Sequence, residues 1–235
     1  MLGMNMEQVS KNQREFKLVF PKIVLVAGVL LLLLFLVEVA FYGNIFSDKS
    51  KYPDTFRDVV YPELKPLQPF KLVDHDNQEF GLGQLAGGWT FLVFGYTHCP
   101  DVCPATLSQL TRLSQSINED IAADVFPRFL FVSVDPARDR VNVLHDYINY
   151  FDDGFMAVTG DLKELEAFEK QFSVAHQYGN PDASANYAVT HSAEIFLVDP
   201  EVRLIAKFTP PISVQQVTQQ YGELVEYFQK LNKQI

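Results

Sequence analysis

WTFLVFGYTHCPDVCPATLSQLTRLSQSI, residues 89–117, decides how this chain folds. Its opening, WTFLVFGY, is a continuous apolar run of strand length, suited to a strand buried on both faces. Its second half sets Leu107, Leu110, Leu113 and Ile117 along one face of a helix. Between strand and helix stand Cys99 and Cys103, the only 2 cysteines of the chain, each followed by a proline.

Working outward, the same alternation repeats. FKLVDHDNQEF, just upstream, has the form of a β-hairpin about a DHDN turn. Downstream, FPRFLFVSVDP (126–136) is a second buried strand and VNVLHDYINYF (141–151) a helix. FMAVTG gives a short strand, and DLKELEAFEKQF a helix with Asp161 at its N-cap and Glu164 three residues on. SAEIFLVDP and VRLIAKF form a hairpin about Asp199–Glu201, and VQQVTQQYGELVEYFQKL closes the chain as an amphipathic helix. This order predicts a mixed sheet with helices on both faces, and the cysteine motif between a strand and its helix makes the layout thioredoxin-like.

The 235 residues suit one such domain with extensions. At 48% hydrophobic and 13% aromatic residues, a disordered chain is excluded. IVLVAGVLLLLLFLV (23–37) runs without a charge, and VAFY after Glu38 extends it to a stretch able to cross a hydrocarbon core of about 30 Å. Glu38-Val39-Ala40 makes a poor signal-peptide cleavage site, and no cysteine follows for a lipid anchor. Lys11, Arg14, Lys17 and Lys22 precede the run, and basic flanks stay in the cytoplasm. The expectation is therefore a cytoplasmic N-terminus (1–22), a single transmembrane anchor (23–42), a proline-containing tether (43–68) and a domain (69–235) outside the cytoplasm. Beyond residue 42 the chain carries 15 Lys and Arg against 26 Asp and Glu, which argues against nucleic-acid binding.

Two cysteines outside the cytoplasm ordinarily form a disulfide. A bridge this short restrains almost nothing in the unfolded chain, so a stabilising staple is a poor reading. A redox pair and a pair of metal-binding thiolates both remain open. Proline disfavours the α conformation in the residue before it, so the helix is expected to start at Pro104 with Cys103 as N-cap. Cys103 is then expected to have a depressed pKa. Soft sulfur selects Cu(I) and Zn, and a third ligand would complete a site for Cu(I). Of the five histidines, His98 adjoins Cys99, but extended backbone points neighbouring side chains apart. His75 and His145 read as solvated, His176 has no special context, and His191 begins a strand after a long polar loop.

GYTHCPDVCPATL resembles the signature of the Sco family of copper-binding proteins, which serve cytochrome c oxidase assembly. SVDPARD (133–139), AVTGD (157–161) and YAVTHSAEIFLVDPE (187–201) follow in the family's order, and the resemblance spans roughly residues 65–231. It implies a thioredoxin-like fold, with Cys99 and Cys103 as thiolate ligands and His191 as the imidazole ligand of one copper, Cu(I) or Cu(II). Asp135 and Asp139 then fall in the family's DPxRD segment, read here as structural, with Arg138 or Arg140 available for ion pairs. Asp101 lies between the cysteines and reads either as a group that biases the charge of the site or a partner contact, or as a solvated loop carboxylate. Thr190 departs from the family, where an acidic residue often precedes the ligand histidine.

The function so implied is a copper chaperone that passes its metal to the CuA site of oxidase subunit II. The alternative is a thiol–disulfide oxidoreductase using Cys99 and Cys103 as a redox pair to keep the CuA cysteines reduced. The expected location is a bacterial inner membrane with the domain in the periplasm, since no Arg/Ser-rich transit segment opens the chain.

Overall fold

The computed structural model describes residues 25, 28–38, 52, 54–56, 58–121, 125–181, 187–190 and 193–232. The chain divides into two compact units, Met1–Ser50 and Lys51–Ile235. In the first, residues 28–38 are helical, and Leu30, Leu31, Leu34 and Phe35 are all more than half exposed. Among the described residues no helix is long and apolar enough to cross a membrane. The expected span 23–42 lies partly outside them.

The second unit is built on one eight-stranded mixed sheet. Its strands are β1 (Val60–Pro66), β2 (Leu72–Asp74), β3 (Glu79–Phe80), β4 (Thr90–Gly95), β5 (Arg128–Ser133), β6 (Met156–Thr159), β9 (Ile195–Val198) and β10 (Arg203–Phe208), in the order β1-β10-β9-β4-β5-β6-β2-β3. A separate pair, β7 (Gln177–Tyr178) and β8 (Val189–Thr190), lies in the loop that the sequence presents as featureless. The helices are α1 (Leu82–Leu85), α2 (Val102–Asp120), α3 (Val141–Phe151), α4 (Leu162–Gln171) and α5 (Val214–Asn232).

β4, β5 and β6 run parallel, with Phe91 beside Phe129 and Leu130 beside Met156, while β9 pairs antiparallel with β4. Strand side chains alternate between faces, and the core divides accordingly. Phe91, Val93, Phe129, Phe131 and Leu197 face Leu107, Leu110, Leu144, Ile148 and Tyr221 of α2, α3 and α5. Leu92, Phe94, Leu130, Val132 and Phe196 face Leu85 of α1 and Leu165 and Phe168 of α4. Every residue of β4 is buried, as its unbroken apolar run requires. The thioredoxin-like arrangement, with helices on both faces, thus follows from period-two strands crossing period-3.6 helices.

The stretch expected as a tether belongs in part to the domain. β1 pairs with β10 (Val60↔Ala206, Lys65↔Leu204), with a register shift between the two pairs. Tyr52 and Phe56 are buried, their rings 5.8 and 6.3 Å from that of Tyr227 on α5. Pro62 and Pro66 make this segment read as non-strand, but an edge strand with an irregular register tolerates residues that cannot donate to the ladder. The domain therefore begins near residue 51, not 69.

Candidate metal centre

β4 delivers the chain at Tyr96 to the end of the sheet, where the N–H of Cys99 closes a turn on the Tyr96 carbonyl (3.2 Å). The helix then starts at Val102, two residues before the proline expected to open it, with Asp101 as N-cap. Proline is accommodated there because the first helical N–H groups have no intrahelical partner to lose. That shift exchanges the roles of the cysteines. Asp101 makes no side-chain cap; instead the Cys99 sulfur accepts the N–H of Cys103 at 3.4 Å. Burial alone would push the Cys99 thiol up, but the N–H groups of Cys103, Asp101 and Val102, with the Cys103 thiol, hold it below the ordinary value. Cys103 is 2% exposed, and burial drives its pKa strongly upward. The depressed thiol is Cys99, and the expectation for Cys103 is overturned.

Gly95 makes room for this. A Cβ there would lie 2.6 Å from a Phe131 ring carbon and 2.9 Å from the Cys103 sulfur. Both cysteines are free thiols.

The DPARD loop braces the cysteine loop from below. Asp139, fully buried, accepts the Thr97 N–H (2.8 Å), the Thr97 hydroxyl (2.6 Å) and the Ser133 hydroxyl (2.6 Å). Asp135, also buried, pairs with Arg138 and accepts the Tyr187 hydroxyl at 2.8 Å. The Arg138 guanidinium lies 3.6 Å from the Tyr187 ring centre and 5.5 Å from that of Tyr96. The expected structural role of Asp135, Asp139 and Arg138 agrees with these contacts. Tyr96 joins two segments: its phenol is bonded to the Val189 backbone on β8 and to the Cys99 thiol. Its position after β4 is the only trace of this role in the sequence.

Histidines sort less simply. His98 is turned to the Thr97 hydroxyl (3.1 Å) and toward Asp139 (3.7 Å). His75 lies against the backbone of Ala157 and 5.7 Å, ring to ring, from His145, which is half exposed near Asp76. His176, unremarkable in sequence, is paired with Glu169 at 2.8 Å, the two side chains only 5% and 2% exposed. Burial pushes the Glu169 carboxyl up, and the adjacent His176 ring draws it partly back. Asp101 is exposed, as is Thr190 at the end of β8. His191, the expected third ligand, lies outside the described residues. Among the described residues, no group of three or more His, Cys, Asp or Glu side chains is assembled for a metal. What they present is a dithiol, one sulfur ionisable at the surface and one protonated behind it, and a soft-metal pair of this kind needs a third donor from elsewhere.

The family model for SCO1/SenC matches residues 62–226. The chain belongs to that family. Within it, the chain is 32% identical over 162 residues to the mitochondrial SCO1 homolog 1 of Arabidopsis thaliana, covering 69% of this chain and 48% of that protein. The chain thus spans about half the length of this plant relative. A SCO2-like protein of Rickettsia prowazekii is 30% identical over 161 residues, 68% of this chain and 77% of the relative. Among solved structures, Arabidopsis thaliana ScoI with copper bound superposes with a TM-score of 0.64 at 30% identity, covering 68% of this chain and 98% of that one.

Proposed function

We propose that this SCO1/SenC protein is a membrane-anchored copper chaperone whose cargo is held by Cys99, Cys103 and His191 and delivered to the CuA site of cytochrome c oxidase subunit II. The observation that carries this reading is the Tyr96 phenol, bonded both to Cys99 and to Val189, two residues before His191. Val189 packs in the same hydrophobic cluster as Cys103 and Cys99. The copper bound in the Arabidopsis relative supports the choice of metal, as does the affinity of soft thiolate for Cu(I).

The chemistry follows from the two thiols. Cys99, the more ionised, captures copper first. Cys103 then loses its proton as the second Cu–S bond forms, so loading releases that proton. In delivery the order reverses: Cys103 regains a proton readily, because burial favours its neutral form, and the metal passes to the acceptor's ligands by exchange. The apolar stretch 23–42, helical where described, would anchor the domain, and its basic flank would place the domain in the periplasm of a bacterial inner membrane.

The asymmetry of the thiols also favours the second reading, a thiol–disulfide oxidoreductase. There the Cys99 thiolate attacks the partner's disulfide, releasing one partner thiolate, and Cys103 resolves the mixed disulfide as the second leaves. The His191→Ala variant separates the two. As a chaperone it fails to transfer copper to a CuA domain yet still reduces that domain's disulfide at the wild-type rate. Undiminished copper transfer by this variant would defeat the chaperone site.

A further inference from the structure

Helix α4 ends in a way that turns the chain back on itself. Ser173 adopts φ 59°, and the N–H groups of Phe172 and Val174 both return to the Glu169 carbonyl. A left-handed residue after the last turn reverses the chain direction. His176 is thereby carried alongside Glu169, its Nδ1 2.8 and 3.0 Å from the two carboxylate oxygens. The next two residues are β7, which pairs Gln177 with Thr190 and Tyr178 with Val189. His191 is the residue that follows Thr190.

A hairpin of two residues per strand does not hold its own position. Tyr178 donates to the Val134 carbonyl and Tyr187 to Asp135, each at 2.8 Å, Arg138 lies over the Tyr187 ring, and Val189 on β8 is buried in the core beside Tyr96. These fasten the far side of the pair. Its beginning is fastened by His176, whose ring also stands edge-on to Tyr178 with centroids 4.8 Å apart. A buried carboxylate–imidazole pair contributes little net stability, since desolvating both groups offsets their attraction. What it does supply is direction, because the ring and the strand start behind it have one way to meet the carboxylate.

We propose that the Glu169–His176 pair is a positioning device for the copper site: it fixes the β7–β8 pair, whose second strand ends at Thr190, one residue before the proposed ligand His191. This rests on the reading of His191 as a ligand. Carboxylates that hold a metal-binding segment in place commonly matter to affinity by about 10–100-fold without touching the metal.

The test uses the whole chain in detergent micelles, reduced and anaerobic, with Cu(I) as the probe. The variants are His176→Phe, Glu169→Gln and the paired Glu169→Leu with His176→Phe, which leaves no charge buried alone and so carries the test if the single variants fail to fold. Two readouts are taken. In the metal-free protein, amide exchange at Gly179 and Val189 is expected to speed up by about tenfold or more while the β4 and β5 amides stay protected. Cu(I) affinity is expected to fall about 10–100-fold, and the same substitutions in a His191→Ala background are expected to cost nothing further. Unchanged hairpin exchange, or losses that multiply with that of His191→Ala, would overturn the proposal. If His191→Ala alone binds copper as the wild type does, the ligand reading has failed, and the exchange data still decide whether the pair anchors the hairpin.

Discussion

Cys99 and Cys103 have the same chemistry in the sequence and opposite chemistry in the fold. One sulfur caps the N-terminus of α2, where unpaired N–H groups favour its anion. The other is enclosed behind Gly95 and Phe131, where burial favours the neutral thiol. In the metal-free reduced protein, alkylation of Cys99 by iodoacetamide is expected to rise with pH through a midpoint below the free-thiol value of about 8.5. Cys103 is expected to stay slow across the same range. A reversed order of reactivity, read by mass spectrometry of the labelled peptides, would contradict the assignment. The sign for copper follows: above the pKa of Cys99, the proton on Cys103 must leave as metal binds, so apparent affinity climbs about tenfold per pH unit. The sequence made the pair itself legible, but not which thiol ionises. That turned on where the helix begins, and Pro104 misled because its missing N–H costs nothing in a first turn.

At the scale of elements, three loops meet at the end of the parallel strands, each tied by a residue whose role no local pattern announces. Asp139 is the clearest case. It stands in the DPARD turn after β5, yet its carboxylate holds Thr97, two residues before Cys99, and Ser133. Asp139→Ala would strand three donors in a buried setting, at about 1–3 kcal/mol for each group that finds no water. Denaturant unfolding is expected to show a loss of roughly 3 kcal/mol, large for one substitution. Asp139→Asn, which keeps an acceptor oxygen, is expected to lose less. Equal losses for both, or none, would remove Asp139 from its bracing role. Helices α3 and α4 could be read from their apolar spacing, and α3 has the expected limits, Val141–Phe151. The Glu169–His176 pair could not, because it depends on a chain reversal at Ser173, a residue type with no strong preference for positive φ.

For the whole molecule, the succession of elements was legible wherever strands were apolar runs flanked by turns, as at β4, β5 and the β9–β10 hairpin. It was hidden at β1, where Pro62 and Pro66 mask an edge strand that extends the sheet beyond β10. A fragment starting at residue 51 is therefore expected to melt cooperatively, and one starting at residue 69 to be unfolded or nearly so. The shorter fragment loses Tyr52, Phe56, Val60 and Leu67 from the core, at about 1.5–3 kcal/mol for each large apolar side chain, against a total stability of about 5–15 kcal/mol. Matching thermal midpoints by circular dichroism would show that this segment is a tether after all. The family assignment rests on residues 62–226, which include most of β1 and the whole three-loop site. Copper binding through Cys99, Cys103 and His191 is tested by an anaerobic Cu(I) titration against a competing chelator, with wild type, Cys103→Ser and His191→Ala side by side. One copper held tightly by the wild type and weakened in both variants is the predicted result; weak binding in the wild type, or affinity indifferent to His191, would contradict it.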